Sequence, residues 1–119
     1  MTDLVDTYLA TWNETDPAAR RALISQHWSE DVTYVDPLVD VEGRTGLDAV
    51  IGAVQNQFPG FRFTALGALD AHHRQARFRW GLGPAGADPL VEGFDVITTD
   101  QHGRITSVLG FLDKVPAAA

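Results

Sequence analysis

FRFTA (residues 61–65) and RFRWGL (residues 77–82) decide the fold of this sequence, because apolar and polar residues alternate along both segments. A period of two is typical of a strand with one buried face, since successive side chains point to opposite sides of a sheet. Before Pro59-Gly60 the apolar residues instead recur with helical spacing. The sequence therefore predicts helices first and antiparallel strands afterwards, an α+β order in which helices pack on one side of a curved sheet.

Two helices are predicted at the start of the chain. Asp3 is expected to cap the first helix. Asp16-Pro17, an acidic cap followed by proline in the first turn, opens a second helix that runs to about His27. The inner faces of both helices carry the residues that recur with helical spacing: Leu4, Val5, Tyr8, Leu9, Trp12, Ala19, Leu23, Ile24, His27 and Trp28.

A short strand and a third helix are predicted next. Ser29-Glu30-Asp31 is expected to form a turn, and the strand spans residues 32–36. Thr45 is expected to cap the third helix, which carries apolar residues up to Phe58 and ends at Pro59-Gly60.

The rest of the chain is expected to form an antiparallel sheet. A turn near Asp70-Ala71-His72 joins its first two strands, and a loop at residues 83–88 leads to a strand at 90–99. A D-x-x-G turn at residues 100–103 precedes the last strand, at 104–112. Residues 1–115 are expected to form a single domain, and residues 116–119 a disordered tail.

The composition excludes several classes of function. Nine basic residues are scattered among sixteen acidic ones, whereas a nucleic-acid surface needs clustered positive charge. Without cysteine the chain has no disulfide, thiolate metal site or cysteine nucleophile, and His72, His73 and His102 make a poor metal set. The acidic start is unlike a signal peptide, and no apolar run approaches the roughly 20 residues of a membrane span. We expect a soluble cytoplasmic protein with neither nucleic acid nor membrane as a partner.

Two carboxyls stand in apolar surroundings. Asp36, in Tyr34-Val35-Asp36-Pro37, is held by a proline at the lip of an apolar space, although Asp-Pro is also a common turn signal. Asp95 lies in mid-strand with apolar residues on both faces, where a carboxyl stays protonated and can donate unless it bonds the backbone or pairs with an arginine. Gly93, on the same strand face as Asp95, is expected to leave room for a ligand.

Tyr8 adds a phenol on the inner face of the first helix, unless it serves only as a core aromatic residue. One carboxylate that abstracts a proton, with two neutral donors that hold the resulting oxyanion, can carry out proton transfer next to a carbonyl.

Three segments carry a resemblance to a known family. The segments Tyr8 to Asp16 (YLATWNETD), Val35-Asp36-Pro37 with Gly43-Arg44-Thr45-Gly46, and Gly93-Phe94-Asp95-Val96 resemble those of the bacterial ketosteroid isomerases (Δ5-3-ketosteroid isomerases). The chain is similar more widely to the SnoaL-like proteins of the nuclear transport factor 2-like superfamily. It departs from the isomerases in having valine before Asp36, where they have an acid, and valine after Asp95, where they have histidine.

The resemblance implies a cone-shaped α+β barrel, with three helices packed on a strongly bent, mainly antiparallel sheet, and a homodimer. It also implies Asp36 as the general base, and Tyr8 and Asp95 as the donors to the oxyanion, without a cofactor or metal. We expect the pocket to be formed by further residues on the inner faces of these elements: Trp12, His27, Trp28, Phe58, Trp80 and Gly93.

The expected function is that of a cofactor-independent enzyme of isomerase or cyclase type, acting on a small hydrophobic carbonyl compound with a steroid- or polyketide-like skeleton. Two alternatives remain open. One is a non-catalytic module of the same fold that binds a hydrophobic ligand or a partner. The other is a hydrolase that opens an epoxide or ester with water activated by a carboxylate.

Overall fold

The computed structural model describes residues 2–116, with side chains from Leu4 onward. Three helices and six strands follow one another along the chain: α1 (Thr2–Asn13), α2 (Pro17–His27), β1 (Trp28–Val35), β2 (Asp40–Glu42), α3 (Gly43–Gln57), β3 (Phe61–His72), β4 (Gln75–Pro84), β5 (Val91–Thr99) and β6 (Ile105–Lys114). The strands form one open sheet in the order β2-β1-β6-β5-β4-β3. β1 and β6 run parallel and the other neighbours antiparallel. The expected cone-shaped α+β architecture is confirmed, with the sheet curved but not closed into a barrel.

The start of β1 differs from the prediction. Ser29-Glu30-Asp31 is not a turn, because the strand already begins at Trp28, which pairs with Ile105 of β6. A register shift between Trp28 and Thr33 interrupts the alternation of buried and exposed residues. This irregularity removed the period-two signal from which the strand would have been recognised. The three residues of β2 were missed, since so short a strand carries no periodic pattern.

Of the predicted helix caps, that of α2 is confirmed and that of α3 is wrong. The Asp16 cap of α2 is confirmed, since Asp16 Oδ2 accepts a hydrogen bond from the Ala19 amide at 2.9 Å. The Thr45 cap is wrong, because α3 begins at Gly43 and Thr45 lies within its first turn. The helix is preceded by Glu42, whose side chain makes no capping bond. The Asp3 side chain lies outside the described part, as do residues 117–119 of the expected tail.

The turn between β3 and β4 lies at His73-Arg74, two residues after the predicted position near Asp70-Ala71-His72. His73 takes up the left-handed backbone conformation there, with φ of 54°. A register shift between Leu66 and Asp70 lengthens β3 beyond its clear alternation. The predicted strands at 90–99 and 104–112 match β5 and β6 to within two residues at each end.

The core lies between the helices and the inner face of the sheet. Along β5 every second residue is buried, and Asp95 is in this row, between Gly93 and Ile97. β4 contributes Phe78 and Trp80 to the same face. The alternation that the sequence shows is therefore the alternation that the sheet buries.

A polar network fixes the end of α1 against the other two helices. Arg20 donates to Asp48 Oδ1 at 2.6 Å and to Gln55 Oε1 at 2.8 Å. Gln55 in turn donates to the Trp12 carbonyl at 2.9 Å. Because Arg20 is buried and bonded to acceptors on α3, this network holds the last turns of α1 and the side chains they carry toward the sheet.

Candidate active site

A cavity of about 200 Å³ opens between the helices and the inner face of the sheet. Most of the residues that line it are apolar or aromatic, and two carboxyls stand among them. The lining comprises Tyr8, Trp12, Tyr34, Asp36, Leu38, Val54, Gln57, Phe58, Phe63, Trp80, Leu82, Val91, Asp95, Phe111, Leu112, Val115 and Pro116. A small apolar cavity with a few convergent polar groups is the usual form of a ligand site.

Tyr8 and Asp95 meet at the bottom of the cavity, and we refer to them as the floor pair. The Tyr8 hydroxyl donates a hydrogen bond to Asp95 Oδ2. Tyr8 is 2% exposed and Asp95 3% exposed, so water has little access to either group. Tyr8 reaches this position because it lies on the inner face of α1, against Trp28 and Phe78.

Burial governs the ionisation of both members of the floor pair. It raises the pKa of Asp95 to about 6, although the Tyr8 hydroxyl and the Trp80 indole act in the opposite direction; the charge of Asp36 raises this pKa further. Burial, and then the charge of Asp95, raise the pKa of Tyr8 well above its usual value near 10. Asp95 therefore exchanges its proton close to neutral pH, while Tyr8 remains a neutral donor.

Asp36 and Tyr34 form a second pair near the mouth, which we call the rim pair. The Tyr34 hydroxyl donates to Asp36 Oδ2 at 2.7 Å. Asp36 Oδ1 accepts from the amides of Leu38 at 2.8 Å and Val39 at 3.0 Å. One carboxyl oxygen thus holds the turn, as the Asp-Pro signal suggested, and the other bonds a phenol at the cavity wall. Burial, followed by the charge of Asp95, raises the pKa of Tyr34 far above its usual range.

Gly110 of β6 lies between the two pairs. A Cβ at this position would lie 2.9 Å from Asp95 Oδ1 and 3.3 Å from Asp36 Cβ. The absence of a side chain lets both carboxyls approach the same point of the sheet, which explains why the charge of Asp36 acts on Asp95. Sequence reasoning missed Gly110, because nothing local indicates which strands flank it.

Two indole N–H groups in the lining make no well-formed hydrogen bond among residues 2–116, although that of Trp80 is near enough to Asp95 to lower its pKa. They belong to Trp12 and Trp80, which are 4% and 9% exposed. A buried donor left unpaired costs about 1–3 kcal/mol, so such groups are uncommon in native proteins. The third tryptophan, Trp28, instead donates its indole N–H to Thr11 Oγ1 at 3.1 Å.

The structure brings together Asp36, Tyr8 and Asp95, and it places Trp12, Phe58 and Trp80 in the same lining. Three other residues expected at the pocket do not line it, namely His27, Trp28 and Gly93. His27 is half-buried at the end of α2, and Trp28 is fully buried against Tyr8.

The space expected above Gly93 is filled by the Trp80 ring, since a Cβ at Gly93 would overlap Trp80 Cζ2 and Cε2. Gly93 therefore makes room for a tryptophan and not for a ligand.

Tyr34 and Phe63 are functional candidates that sequence reasoning passed over. Tyr34 lies two residues before Asp36 in the predicted strand at 32–36, and this spacing puts both side chains on one face. The alternation of Phe63 with Arg62 and Thr64 indicated a buried face but could not show that this face also borders a cavity.

Within residues 2–116, no group of three or more His, Asp or Glu side chains is arranged to hold a metal ion. No helix in that part of the chain is long and apolar enough to cross a membrane. The polar side chains that line the cavity are those of Asp36, Asp95, Tyr8, Tyr34, Gln57 and the indoles of Trp12 and Trp80.

Comparison with known proteins agrees with this architecture. The family model of the SnoaL-like domain matches residues 5–108. No protein with curated annotation matches the sequence.

Among solved structures, a SnoaL-like family protein from Agrobacterium tumefaciens str. C58, described as a candidate isomerase, is 44% identical with a TM-score of 0.89, over 94% of this chain and 96% of that one.

Two more distant structures share the fold. One, from Jannaschia sp. CCS1, is described as a candidate SnoaL-like polyketide cyclase and is 17% identical with a TM-score of 0.71, over 94% of this chain and 86% of that one. The other is a nuclear transport factor 2-like protein of unknown function from Exiguobacterium sp. 255-15. It is 19% identical with a TM-score of 0.72, over 92% of this chain and 98% of that one.

Proposed function

We propose that this chain, which belongs to the SnoaL-like domain family, is a cofactor-independent enzyme of isomerase or cyclase type that transfers a proton next to a carbonyl group. The observation that carries the proposal is the hydrogen bond from Tyr8 to buried Asp95 in a cavity that Asp36 also lines. This arrangement places a base and an oxyanion site where both can act on one small apolar substrate.

Asp36 is proposed as the base. It is only half-buried and accepts three hydrogen bonds, two of them from backbone amides, which suits an ionised carboxylate that can only accept. The turn also fixes the position of this carboxylate, so that little order is lost when it meets the substrate. Asp36 takes the proton from the carbon beside the carbonyl and returns it elsewhere on the same skeleton.

Tyr8 and Asp95 are proposed as the donors to the developing enolate oxygen. Once Asp95 is protonated it no longer needs the Tyr8 proton, so Asp95 and the neutral Tyr8 hydroxyl can each turn one O–H to the enolate oxygen, and their burial makes these bonds strong as charge appears there. With a pKa of about 6, Asp95 in the ligand-free protein is largely ionised at neutral pH. An enolate-like ligand is therefore expected to bind together with a proton.

The substrate is proposed to be small and largely apolar. The cavity volume of about 200 Å³ is below the roughly 300–1,000 Å³ common for drug-sized ligands. A steroid- or polyketide-like skeleton would extend from the cavity past Leu38 and Val115 at the surface, while its carbonyl end occupies the floor.

The direct test is conversion of a β,γ-unsaturated ketone to its conjugated isomer, followed by ultraviolet absorbance, beginning with cyclohex-3-en-1-one and extending to larger ketones. We expect Asp36→Asn to lower kcat by about 10³-fold, the usual range for a positioned base. Asp40→Asn, an exposed acid four residues away in β2, is the matched control and should leave kcat unchanged. The proposal fails if no ketone in the panel shows turnover that depends on Asp36.

A non-catalytic ligand-binding module is the second candidate, because Asp36 Oδ1 is already engaged by the turn. In that case phenols, which mimic the enolate, should bind Asp95→Asn as well as the wild-type protein. An oxyanion site would lose affinity for them in this variant. Incorporation of labelled oxygen from water into a product would instead indicate epoxide or ester hydrolysis.

We also propose that the outer face of the sheet pairs with a second copy of the chain. Strand register places Val35 and Val96 beside Leu109, and Phe94 beside Phe111. Leu109 is 48% exposed and Phe111, which also borders the cavity, is 57% exposed, so this face is apolar and uncovered in a single chain. Light scattering should give a dimer for the wild type and a monomer for Leu109→Asp, with Thr64→Asp on β3 as the control. A monomeric wild-type protein at micromolar concentration would contradict this.

A further inference from the structure

We propose that Trp80 is a positioning residue for Asp95, and that its indole N–H acts on the carboxyl as a second donor beside the Tyr8 hydroxyl. Trp80 then sets the pH range in which Asp95 carries the proton that it offers to a ligand. This inference rests on the proposed function only in that Asp95 acts there as a donor, because the contact itself can be measured without turnover.

The Trp80 ring lies against β5 beside Asp95. Trp80 is paired with Gly93 across β4 and β5, and Asp95 follows Gly93 by two residues on the same buried face. A Cβ at Gly93 would overlap Trp80 Cε2, the ring carbon bonded to the indole nitrogen. The missing side chain therefore lets the nitrogen-bearing edge of the indole approach the strand that carries the carboxyl. Phe63 packs against the ring, with centroids 5.4 Å apart, and helps to hold it there.

Asp95 is the acceptor beside this edge of the ring. On the inner face of β5, Gly93 is flanked by Val91 and Asp95, and the Val91 side chain has no polar atom. Leu82, which is paired with Val91, is apolar as well. The Trp80 N–H is buried and makes no well-formed hydrogen bond to another group in the described part of the chain. Since an unpaired buried donor is costly, the neighbouring carboxylate is the group that can satisfy it.

The Asp95 carboxyl has room for a second donor. An ionised carboxylate offers about four acceptor sites, and the Tyr8 hydroxyl takes one of them, on Oδ2. Burial raises the pKa of Asp95 to about 6, whereas the Tyr8 hydroxyl and, after it, the Trp80 indole lower this pKa. Both donors therefore stabilise the ionised form, and loss of either should raise the pKa further.

The other ionisable groups around Asp95 do not replace these donors. The phenols of Tyr8 and Tyr34 are kept neutral by burial, and the negative charge of Asp36 raises the pKa of Asp95. The cavity faces of α3, β3, β4 and β6 contribute no charged side chain. Because no cation faces the carboxyl, its ionisation at neutral pH depends on neutral donors such as Tyr8 and Trp80.

The test is the titration of the Asp95 side-chain carboxyl by carbon nuclear magnetic resonance, assigned with Asp95→Asn. Trp80→Phe keeps an aromatic ring at this position but removes the N–H. The titration midpoint should rise by about one pH unit, as expected when a carboxylate loses one donor. Phe63→Leu is the matched control, because it disturbs the packing of the same indole without removing a donor, and it should leave the midpoint unchanged.

A kinetic measurement separates positioning from a structural role. For the proposed ketone isomerisation, kcat/KM should fall as the pH rises through the pKa of Asp95 in the ligand-free protein, because the donor is lost. Trp80→Phe should move this fall to higher pH by the same interval as the titration. A purely structural role of Trp80 would lower the rate without moving the midpoint.

The wild-type protein supplies a further measurement, which decides if Trp80→Phe fails to fold. The indole N–H resonance of Trp80 should shift with the same midpoint as the Asp95 carboxyl, because ionisation strengthens its acceptor. The resonance of Trp28, whose N–H is bonded to Thr11, should not follow this titration.

The inference is overturned if Trp80→Phe leaves the midpoint unchanged or lowers it, or if Phe63→Leu raises it as much. It is also overturned if the Trp80 resonance of the wild type does not follow the ionisation of Asp95. A raised midpoint without turnover on any ketone would refute the proposed function alone. Turnover with an unmoved midpoint would refute the inference alone.

Discussion

The floor pair and the rim pair contain the same two residue types, and the protein surrounds them differently. At the floor, Asp95 is 3% exposed, accepts from Tyr8, and has a pKa raised to about 6. At the rim, Asp36 is half-buried and receives two backbone amides as well as the Tyr34 hydroxyl. Surroundings, and not residue type, thus distinguish the two carboxyls, and the proposed function assigns the donor to Asp95 and the base to Asp36 on this difference.

After the loss of the base in Asp36→Asn, the largest expected effect comes from removing the floor phenol. Tyr8→Phe deletes a donor to the proposed enolate, and we expect kcat/KM to fall by about 10²–10³-fold, as for loss of one oxyanion donor. Because the Tyr8 hydrogen bond lowers the pKa of Asp95, the variant should also titrate at higher pH. Kinetics over a range of pH measure both effects. An unchanged rate would remove the floor pair from the reaction.

The pH dependence of stability tests the burial of Asp95. Its pKa is raised from 3.8 to about 6 in the folded state, so the unfolded chain releases this proton first as the pH rises. The free energy of unfolding should therefore decrease through that window, by about 3 kcal/mol in total. The asparagine of Asp95→Asn does not titrate. The free energy of unfolding of this variant, relative to that of the wild type, should therefore increase by about 3 kcal/mol between about pH 3.5 and about pH 7.5. Urea denaturation at both pH values measures the difference, and a constant difference would argue against a perturbed carboxyl.

Gly110→Ala is expected to disturb the close approach of the carboxyls of Asp95 and Asp36 to this position. The added Cβ would press on Asp95 Oδ1 at 2.9 Å and on Asp36 Cβ at 3.3 Å. We expect a loss of about 2 kcal/mol in the free energy of unfolding, in the usual range for overpacking. Chemical denaturation checks the value, with Gly52→Ala as control, because the Cβ there would meet only the Arg20 guanidinium at 3.4 Å. Equal losses in both variants would contradict the close approach of the carboxyls.

Tyr34→Phe should have the smallest effect. It removes one of three donors to Asp36 but leaves the turn that positions the carboxylate. We expect kcat/KM to change by no more than about tenfold, the worth of about 1.4 kcal/mol. A loss as large as that of Tyr8→Phe would show that the rim phenol, too, contacts the reacting atoms.

Much of the fold could be predicted, because periodicity is a local property of the sequence. The spacing of Leu4, Tyr8 and Trp12 gave the inner face of α1, and alternation around Phe78 and Asp95 gave the inner faces of β4 and β5. The Asp16-Pro17 signal placed the start of α2 correctly. Prediction failed at Ser29-Glu30-Asp31, where the register shift hides the strand period.

The sequence by itself determined which residues face inward, and hence that Tyr8 and Asp95 are buried polar groups. Only the tertiary structure decided which inward faces meet. The Tyr8–Asp95 hydrogen bond joins residues 87 positions apart, and the parallel pairing of β1 with β6 places Gly110 beside Asp36. The same assembly put Trp80 over Gly93 and left His27 away from the cavity. Local patterns fix the direction of a side chain along its own element, whereas its partners depend on how distant elements pack.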